Sequence, residues 1–363
     1  MLKLTRPADL YADHPEWFVT EPTETPSDGP GTPVDGGFRA GSELYGLDTT
    51  HPEVLEWLRE TVSTVVDKWG FTYLKLDFLF AAALPGERYD AEATRIEAYR
   101  RGVEAIAEAP GDDVFLLGCG APMAPSVGLF DAMRIGPDTD PTWETPGESG
   151  SQPGLKNAVR NTLNRNFLHR RWWLNDPDCQ LVRDTSDLTA SEREAFAVLV
   201  AVSGGANMFS DRLAEIDTAG RRLLQRSIPP ASGGEVVGLD GERFPSRVVC
   251  ERPGDGATTV ALFNWQNKRS TVRFDAHEYG QEGDRVIWDG LSGEVVDSQV
   301  VEKELAPHGA AVFAVVSTDT GDLLGDAATL TGGSDRASEA TLRDGTIAAA
   351  VGGEALTFAL NSE

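Results

Sequence analysis

The chain is poor in lysine. Six lysines (Lys3, Lys68, Lys75, Lys156, Lys268 and Lys303) stand among 363 residues, and arginine supplies the rest of the positive charge. With 58 acidic against 32 basic residues the formal net charge is −26, and the isoelectric point is about 4.5. So acidic a surface repels phosphate backbones, which argues against nucleic acid as a partner. Acidic and lysine-poor together suggest a cytosolic protein of a salt-loving microbe. Cysteine is scarce too. Cys119, Cys179 and Cys250 lie far apart with no CxxC pair, so neither a disulfide framework nor a zinc cluster is indicated. His14, His51, His169, His277 and His308 show no metal-ligand spacing, and neither a metal nor a cofactor is expected. There is no apolar run of 18 residues and no signal-type apolar stretch at the N-terminus, so the expectation is a soluble, cytoplasmic protein without membrane contact. No Gly-x-Gly-x-x-Gly turn follows the first strand, which removes support for a dinucleotide fold. No internal repeat is present.

What is present begins with Phe71 to Phe80, Phe-Thr-Tyr-Leu-Lys-Leu-Asp-Phe-Leu-Phe, whose composition suits a strand buried on both faces. Lys75 and Asp77 sit inside it two residues apart, with side chains on one face. An ion in a buried strand is costly unless paired or engaged with a ligand. Two readings follow: a Lys–Asp pair satisfied in a core, or a catalytic carboxylate with its cation at a barrel mouth.

Around it the pattern alternates. Helices are expected at 51–68, 91–108, 154–168, 188–202 and 213–226, and strands at 72–78, 114–118, 132–135, 172–174 and 206–209. Such alternation predicts an α/β fold with a parallel sheet. Polar residues recur at the C-terminal ends of the strands: Asp77, Cys119, Asp138, Asn175 with Asp178, and Asp211. Catalytic groups of a (β/α)8 TIM barrel are placed this way. Five strands are visible where a complete barrel needs eight. Residues 1–50 read as loop, with Thr20 to Gly37 crowded with Pro, Gly, Thr, Asp and Glu. After 229 short strand candidates divided by turn residues predict an antiparallel β-sandwich. The division expected is therefore 1–228 for a partial barrel, 229–316 for the sandwich, and a Gly/Ala/Asp-rich tail at 317–363, with a hairpin over 340–360 as one reading.

Two carboxylates stand out as candidates. Asp77 lies beside Lys75, and Asp138 lies four residues after Arg134. A nearby cation keeps a carboxylate ionised as a nucleophile, while a carboxyl in a drier setting holds its proton and acts as general acid. Such a pair is the equipment of a glycosidase. The competing reading of Asp138 is a turn residue after Gly-Pro.

Lys75-Leu-Asp-Phe78, Leu117-Gly-Cys-Gly-Ala-Pro122, Met133-Arg-Ile-Gly-Pro-Asp-Thr139 and Arg171-Trp-Trp-Leu-Asn-Asp-Pro-Asp-Cys179 together resemble glycoside hydrolase family 36, the microbial α-galactosidases. The resemblance covers about Asp13 to Phe209, and the sandwich is similar to the family's C-terminal domain. It implies a retaining α-galactosidase, free of metal, acting on raffinose- or melibiose-type α-galactosides. Carried over by position, Asp77 is the nucleophile, Asp138 the acid/base, Lys75 and Arg134 bind the sugar, and Cys119 lines the pocket. Retention implies carboxyls about 5–5.5 Å apart. Trp143 reads either as a wall of a sugar subsite or as core. Asn175, Asp176 and Asp178 support the site or form a structural turn, and His169 and Asp211 receive no role. The family's Asp-Asp-Gly-Trp motif, which holds galactose hydroxyls, is absent, as are the N-terminal β-sandwich and first barrel strands. The chain therefore reads as truncated at its N-terminus, with a homo-oligomer or a partner supplying the missing strands as the assemblies implied. The alternatives carried forward are a related retaining α-glycosidase of other specificity and an inactive or sugar-binding relic.

Overall fold

In the computed structural model of the chain, the residues described are 7–22, 31–39, 42–109, 113–145, 152–228, 230–231, 233–239, 241, 243–252, 257–279, 285–317, 329–331, 337–343, 346–351 and 354–359. They form two compact units: Met1–Arg134 with Trp172–Leu174, and Ile135–Arg171 with Asn175–Glu363.

The first unit holds α1 (Pro7–Asp13), the antiparallel pair β1 (Asp35–Arg39) and β2 (Ser42–Tyr45), α2 (Pro52–Ser63), β3 (Tyr73–Leu76), α3 (Arg95–Glu108), β4 (Phe115–Gly118) and β5 (Ala132–Arg134). Helix α2 starts where expected. His51 accepts a hydrogen bond from the Glu53 amide, and Pro52 occupies a first-turn position whose amide needs no partner. Val54, Leu58 and Val62, spaced four apart, put one face into a core completed by Trp17, Phe18 and Ile106. One π turn, Thr64–Lys68, extends it, and Gly70 at φ +75° ends it. Helix α3 begins at Arg95 rather than at 91, because Thr94 and Glu97 form a reciprocal capping box that fixes the first turn.

Strands β3 and β4 pair in parallel, as do β4 and β5. Leu174 donates its amide to the Asp131 carbonyl at 2.8 Å. The expectation that Phe71–Phe80 is buried on both faces is corrected. The strand is four residues long, Phe71 and Tyr73 are 55% and 47% exposed, and Lys75 and Asp77 are exposed. The reason is its position: among the described residues β3 has a strand on one side only, so Leu74 and Leu76 pack toward α2 while the opposite face is wet.

The second unit continues with α4 (Leu155–Arg165), β6 (Leu174–Asp176, its last two residues here), β7 (Cys179–Gln180), α5 (Ala190–Ser203), β8 (Met208–Phe209) and α6 (Thr218–Arg226). The strand expected at 172–174 lies two residues later. Arg170 takes a left-handed φ of +59°, so Arg171 and Trp172 form a turn despite their strand-like composition. Strands β7 and β8 pair in parallel.

Eight further strands follow: β9 (Glu235–Val237), β10 (Arg247–Arg252), β11 (Ala257–Phe263), β12 (Ser270–Asp275), β13 (Arg285–Asp289), β14 (Val295–Val296), β15 (Val300–Leu305) and β16 (Ala310–Ser317). Six form an antiparallel sheet in the order β14-β13-β16-β11-β10-β9, and β12 pairs with β15. Alternation sorts the central strands onto two faces. Val260, Leu262, Phe313 and Val315 meet Phe274, Val301 and Leu305 of the two-stranded layer. Ala261, Phe263 and Val312 instead meet Val198, Leu199 and Val202 of α5. The six-stranded sheet is thus covered on both faces. Helices α4 and α5 share the core of this sheet. In the tail, β17 (Ala337–Arg343), β18 (Thr346–Val351) and β19 (Glu354–Ala359) form a three-stranded antiparallel meander where a hairpin was one reading.

Candidate active site

The register of the parallel strands assembles the site. Leu76 stands opposite Gly118, and Gly118 opposite Met133. One residue further along each strand come Asp77, Cys119 and Arg134, level with one another at the C-terminal ends of β3, β4 and β5. The Cys119 amide keeps this level in register by donating to the Leu76 carbonyl at 2.7 Å. Lys75, two residues before Asp77, shares its face.

The chemistry around Cys119 reports the convergence. Burial pushes the thiol up to about 12. Arg134 and Lys75 pull in the other direction, and the Asp77 carboxylate adds to the rise by accepting its hydrogen bond. Cys119 is therefore a neutral S–H donor, buried at 6% exposure and surrounded by the three charged candidates. Arg134 is buried as well, at 8%. Lys75 and Asp77 form no direct ion pair within 4 Å, so the satisfied-pair reading has no geometric support.

A turn that the sequence reading passed over holds Asp77 in place. Phe78 adopts φ +57°, unusual for a bulky residue, and its amide donates to Asp77 Oδ1 at 2.7 Å. Gly120, at φ +58°, lies against it. A Cβ on Gly120 would stand 3.2 Å from the Phe78 nitrogen and 3.4 Å from Asp77 Oδ1. The Phe80 amide donates to the Gly120 carbonyl at 2.8 Å, tying the two strand ends together. The signal was present in Gly118-Cys-Gly120, where a glycine follows a strand end directly. Behind this layer, Tyr99 shares a 2.5 Å hydrogen bond with Ser126, which donates to the Pro122 carbonyl. Buried Asp48 accepts from the Thr50 and Tyr89 amides, anchoring the loop that follows Asp77.

In the second unit Asp138 is exposed, and its carbonyl accepts from the Gly154 amide at 3.1 Å, at the N-terminal edge of α4. The next residue, Thr139, donates its amide to Asp178 Oδ2 at 2.7 Å, and its hydroxyl reaches the same oxygen and the Cys179 carbonyl. Asp178 sits at φ +77° and donates its own amide to Asp176 Oδ1. Asn175-Asp-Pro-Asp178 is therefore a structural turn that grips the segment bearing Asp138. Trp143 is half-buried against the core of this unit. Its ring stacks on His308 at 4.0 Å and 13°, and on Trp265 at 6.2 Å. His308 in turn bridges Glu192 and Asn267 at 2.7 Å each. Asp211 accepts the Val182 and Arg183 amides and pairs with the Arg183 guanidinium, which makes it a lock between chain segments. His169 accepts from the Asn175 amide, and burial lowers its pKa. Among the described residues no grouping of three His, Cys, Asp or Glu could hold a metal, and no helix is long and apolar enough to cross a membrane.

No protein-family model matches the chain. Solved structures do. The chain is similar to an α-galactosidase from Thermus thermophilus in complex with p-nitrophenyl α-D-galactopyranoside, at 36% identity over 61% of this chain and 44% of that one, with a TM-score of 0.48. It thus spans less than half the length of that protein. A GH27 β-L-arabinopyranosidase from Geobacillus stearothermophilus matches at 18% identity over 78% of this chain and 66% of that one, with a TM-score of 0.60. Alpha-galactosidase I from Mortierella vinacea matches at 12% identity over 77% of this chain and 74% of that one, with a TM-score of 0.56. The fold of this chain is that of the last two structures.

Proposed function

We propose that the chain carries the catalytic apparatus of a retaining α-galactosidase of family 36. The observation that supports this reading most is the level row of Asp77, Cys119 and Arg134 at three successive strand ends, with Lys75 on the same face. In this reading Asp77 attacks the anomeric carbon of an α-galactoside while Asp138 donates a proton to the departing glycosidic oxygen. A covalent galactosyl ester forms and the alcohol leaves. Asp138, now a base, takes a proton from water, and the water oxygen displaces Asp77 with net retention. Lys75 and Arg134 hydrogen-bond the sugar hydroxyls.

Hydrolysis of p-nitrophenyl α-D-galactopyranoside by the purified chain tests this. Asp77→Gly is expected to lower kcat by on the order of 10³ or more, with azide restoring turnover and giving the β-galactosyl azide. Asp138→Ala is expected to hurt raffinose far more than the nitrophenyl substrate, whose leaving group needs less protonation. Absence of turnover by folded protein at both low and high salt sinks the reading.

One observation favours a second reading, a sugar-binding chain without turnover: among the described residues β3 has a single neighbouring strand, and Asp77 is exposed to water. Water around the carboxylate weakens every electrostatic contribution the mechanism needs. Galactose binding without hydrolysis, or hydrolysis appearing only in a homo-oligomer or with a strand-supplying partner, identifies that case.

A further inference from the structure

Away from the strand ends just described, the second unit bears a groove of about 540 Å³ between β10, the end of β11 and β12. Its lining departs from the rest of the molecule. The chain holds 58 acidic residues in 363, yet among the described residues this lining includes Arg243, Arg247 and Arg273 and no aspartate or glutamate. Arg247 is aimed rather than loose. It donates to the Tyr279 hydroxyl at 2.7 Å and to the Arg273 carbonyl at 3.2 Å. Arg243 lies 6.0 Å from the centre of the Phe244 ring. Two carboxylates approach from outside the lining, Glu278 at 3.5 Å from Arg247 and Glu302 at 3.3 Å from Arg273. Among the described residues, three guanidiniums stand here against two carboxylates, on a strongly negative protein.

The groove also has a flat wall. Trp265 is half-buried and stacks on Phe263 at 4.7 Å and 10°, and its indole N–H donates to the Pro245 carbonyl at 2.8 Å. Trp265 also stacks on Trp143 at 6.2 Å and 16°, so its ring is held by two parallel neighbours, and Phe244 is a further aromatic side chain of the lining. Gln266, Ser270 and Thr271 add amide and hydroxyl groups along the same lining. Guanidiniums read planar oxyanions through paired N–H donors, aromatic faces pack against the C–H face of pyranose rings, and short polar side chains satisfy hydroxyls. That combination fits neither a plain anion nor a neutral sugar.

We propose that this groove is a binding site for an oligosaccharide bearing carboxylate or sulfate groups, with Arg243, Arg247 and Arg273 reading the acid groups, Phe244 a ring face, and the edge of Trp265 bounding the groove. The site is separate from the proposed hydrolytic residues and does not depend on their activity.

Calorimetric titration of the full chain tests the assignment. The probes are trigalacturonate, a sulfated galactotriose, neutral galactotriose, sodium sulfate and triglutamate. The expected result is binding of at least one acidic trisaccharide about tenfold or more tighter than galactotriose, sodium sulfate or triglutamate, since each charged hydrogen bond contributes on this scale. Which of the two acidic sugars binds distinguishes carboxylate from sulfate. An Arg243→Gln/Arg273→Gln double variant, altered only at exposed side chains, is expected to lose that binding about tenfold at unchanged melting temperature and unchanged nitrophenyl galactoside turnover. Equal binding of neutral and acidic sugars overturns the proposal, as does equal binding of sulfate (an adventitious ion only) or of triglutamate (an acidic-peptide site). Undiminished affinity in the double variant overturns it too.

Discussion

At the scale of single residues, Cys119 is the most informative group in the site. It carries no charge of its own, yet its thiol faces Asp77, Arg134 and Lys75 together. Its pKa is raised by burial to about 12 from an ordinary value of 9.0. The folded state therefore favours the neutral thiol. Its contribution to stability is complete below about pH 9 and is lost as pH rises toward 12. Two outcomes follow. Iodoacetamide at pH 8 should leave Cys119 unmodified in the native chain and label it on unfolding, as read by peptide mass mapping. Cys119→Ser should flatten the alkaline limb of the stability curve between pH 9 and 12. Rapid native labelling of Cys119 would contradict the buried, hydrogen-bonded thiol. The sequence marked Lys75, Asp77, Cys119 and Arg134 because polar residues at strand ends stand out against apolar runs. It could not show that the last three share one level, since register is a property of pairing and not of spacing.

At the scale of elements, two tight turns set the aim of the carboxylates. Gly120 sits at a left-handed φ with the Phe78 backbone 3.2–3.3 Å from where a Cβ would stand, a tight fit. Gly120→Ala is expected to cost about 1–2 kcal/mol from its left-handed backbone alone. Because the added methyl crowds the Phe78 backbone, whose amide holds Asp77 Oδ1, kcat should fall more than KM rises. An unchanged kcat with lowered melting temperature would restrict the turn to a structural role. Asp178 serves the second carboxylate through Thr139. Asp178→Asn tolerates the left-handed backbone but loses charge assistance to two donors, so a stability loss of about 1 kcal/mol is expected by denaturant titration. Helices were legible to within a few residues where a cap was written in the chain, as at His51-Pro52 and Thr189-x-x-Glu192. The strand at Trp172 was misplaced because aromatic composition and a left-handed Arg170 give opposite signals, and only the backbone shows which prevails. Trp143 looked free to stack on sugar, since nothing in its neighbourhood names His308, 165 residues away, as its partner.

At the scale of the whole molecule, charge is the leading variable. A net charge of −26 on 363 residues repels itself in dilute buffer, and salt screens that repulsion. The melting temperature is expected to rise by several degrees between 0.1 and 2 M KCl, where about 1 kcal/mol corresponds to roughly 2–4 °C for a large domain. A flat or falling trend in differential scanning calorimetry would count against a chain adapted to high salt. The division of the molecule was the least legible feature. Periodicity separates helices from strands but does not say that α5 packs on β10, β11 and β16. That packing has a temporal side. Strand β16 lies between β11 and β13 in the sheet although it is the last of the eight to be made. Helix α5, with Val198 to Val202 wholly buried in the finished core, ends at Ser203, and β16 ends at Ser317. At about 5–20 residues per second, a ribosome needs roughly 6–23 s to cover that interval. During it β10 and β11 emerge but β16 does not, so until the last of the eight strands is made the apolar face of α5 lies on a sheet without its central strand.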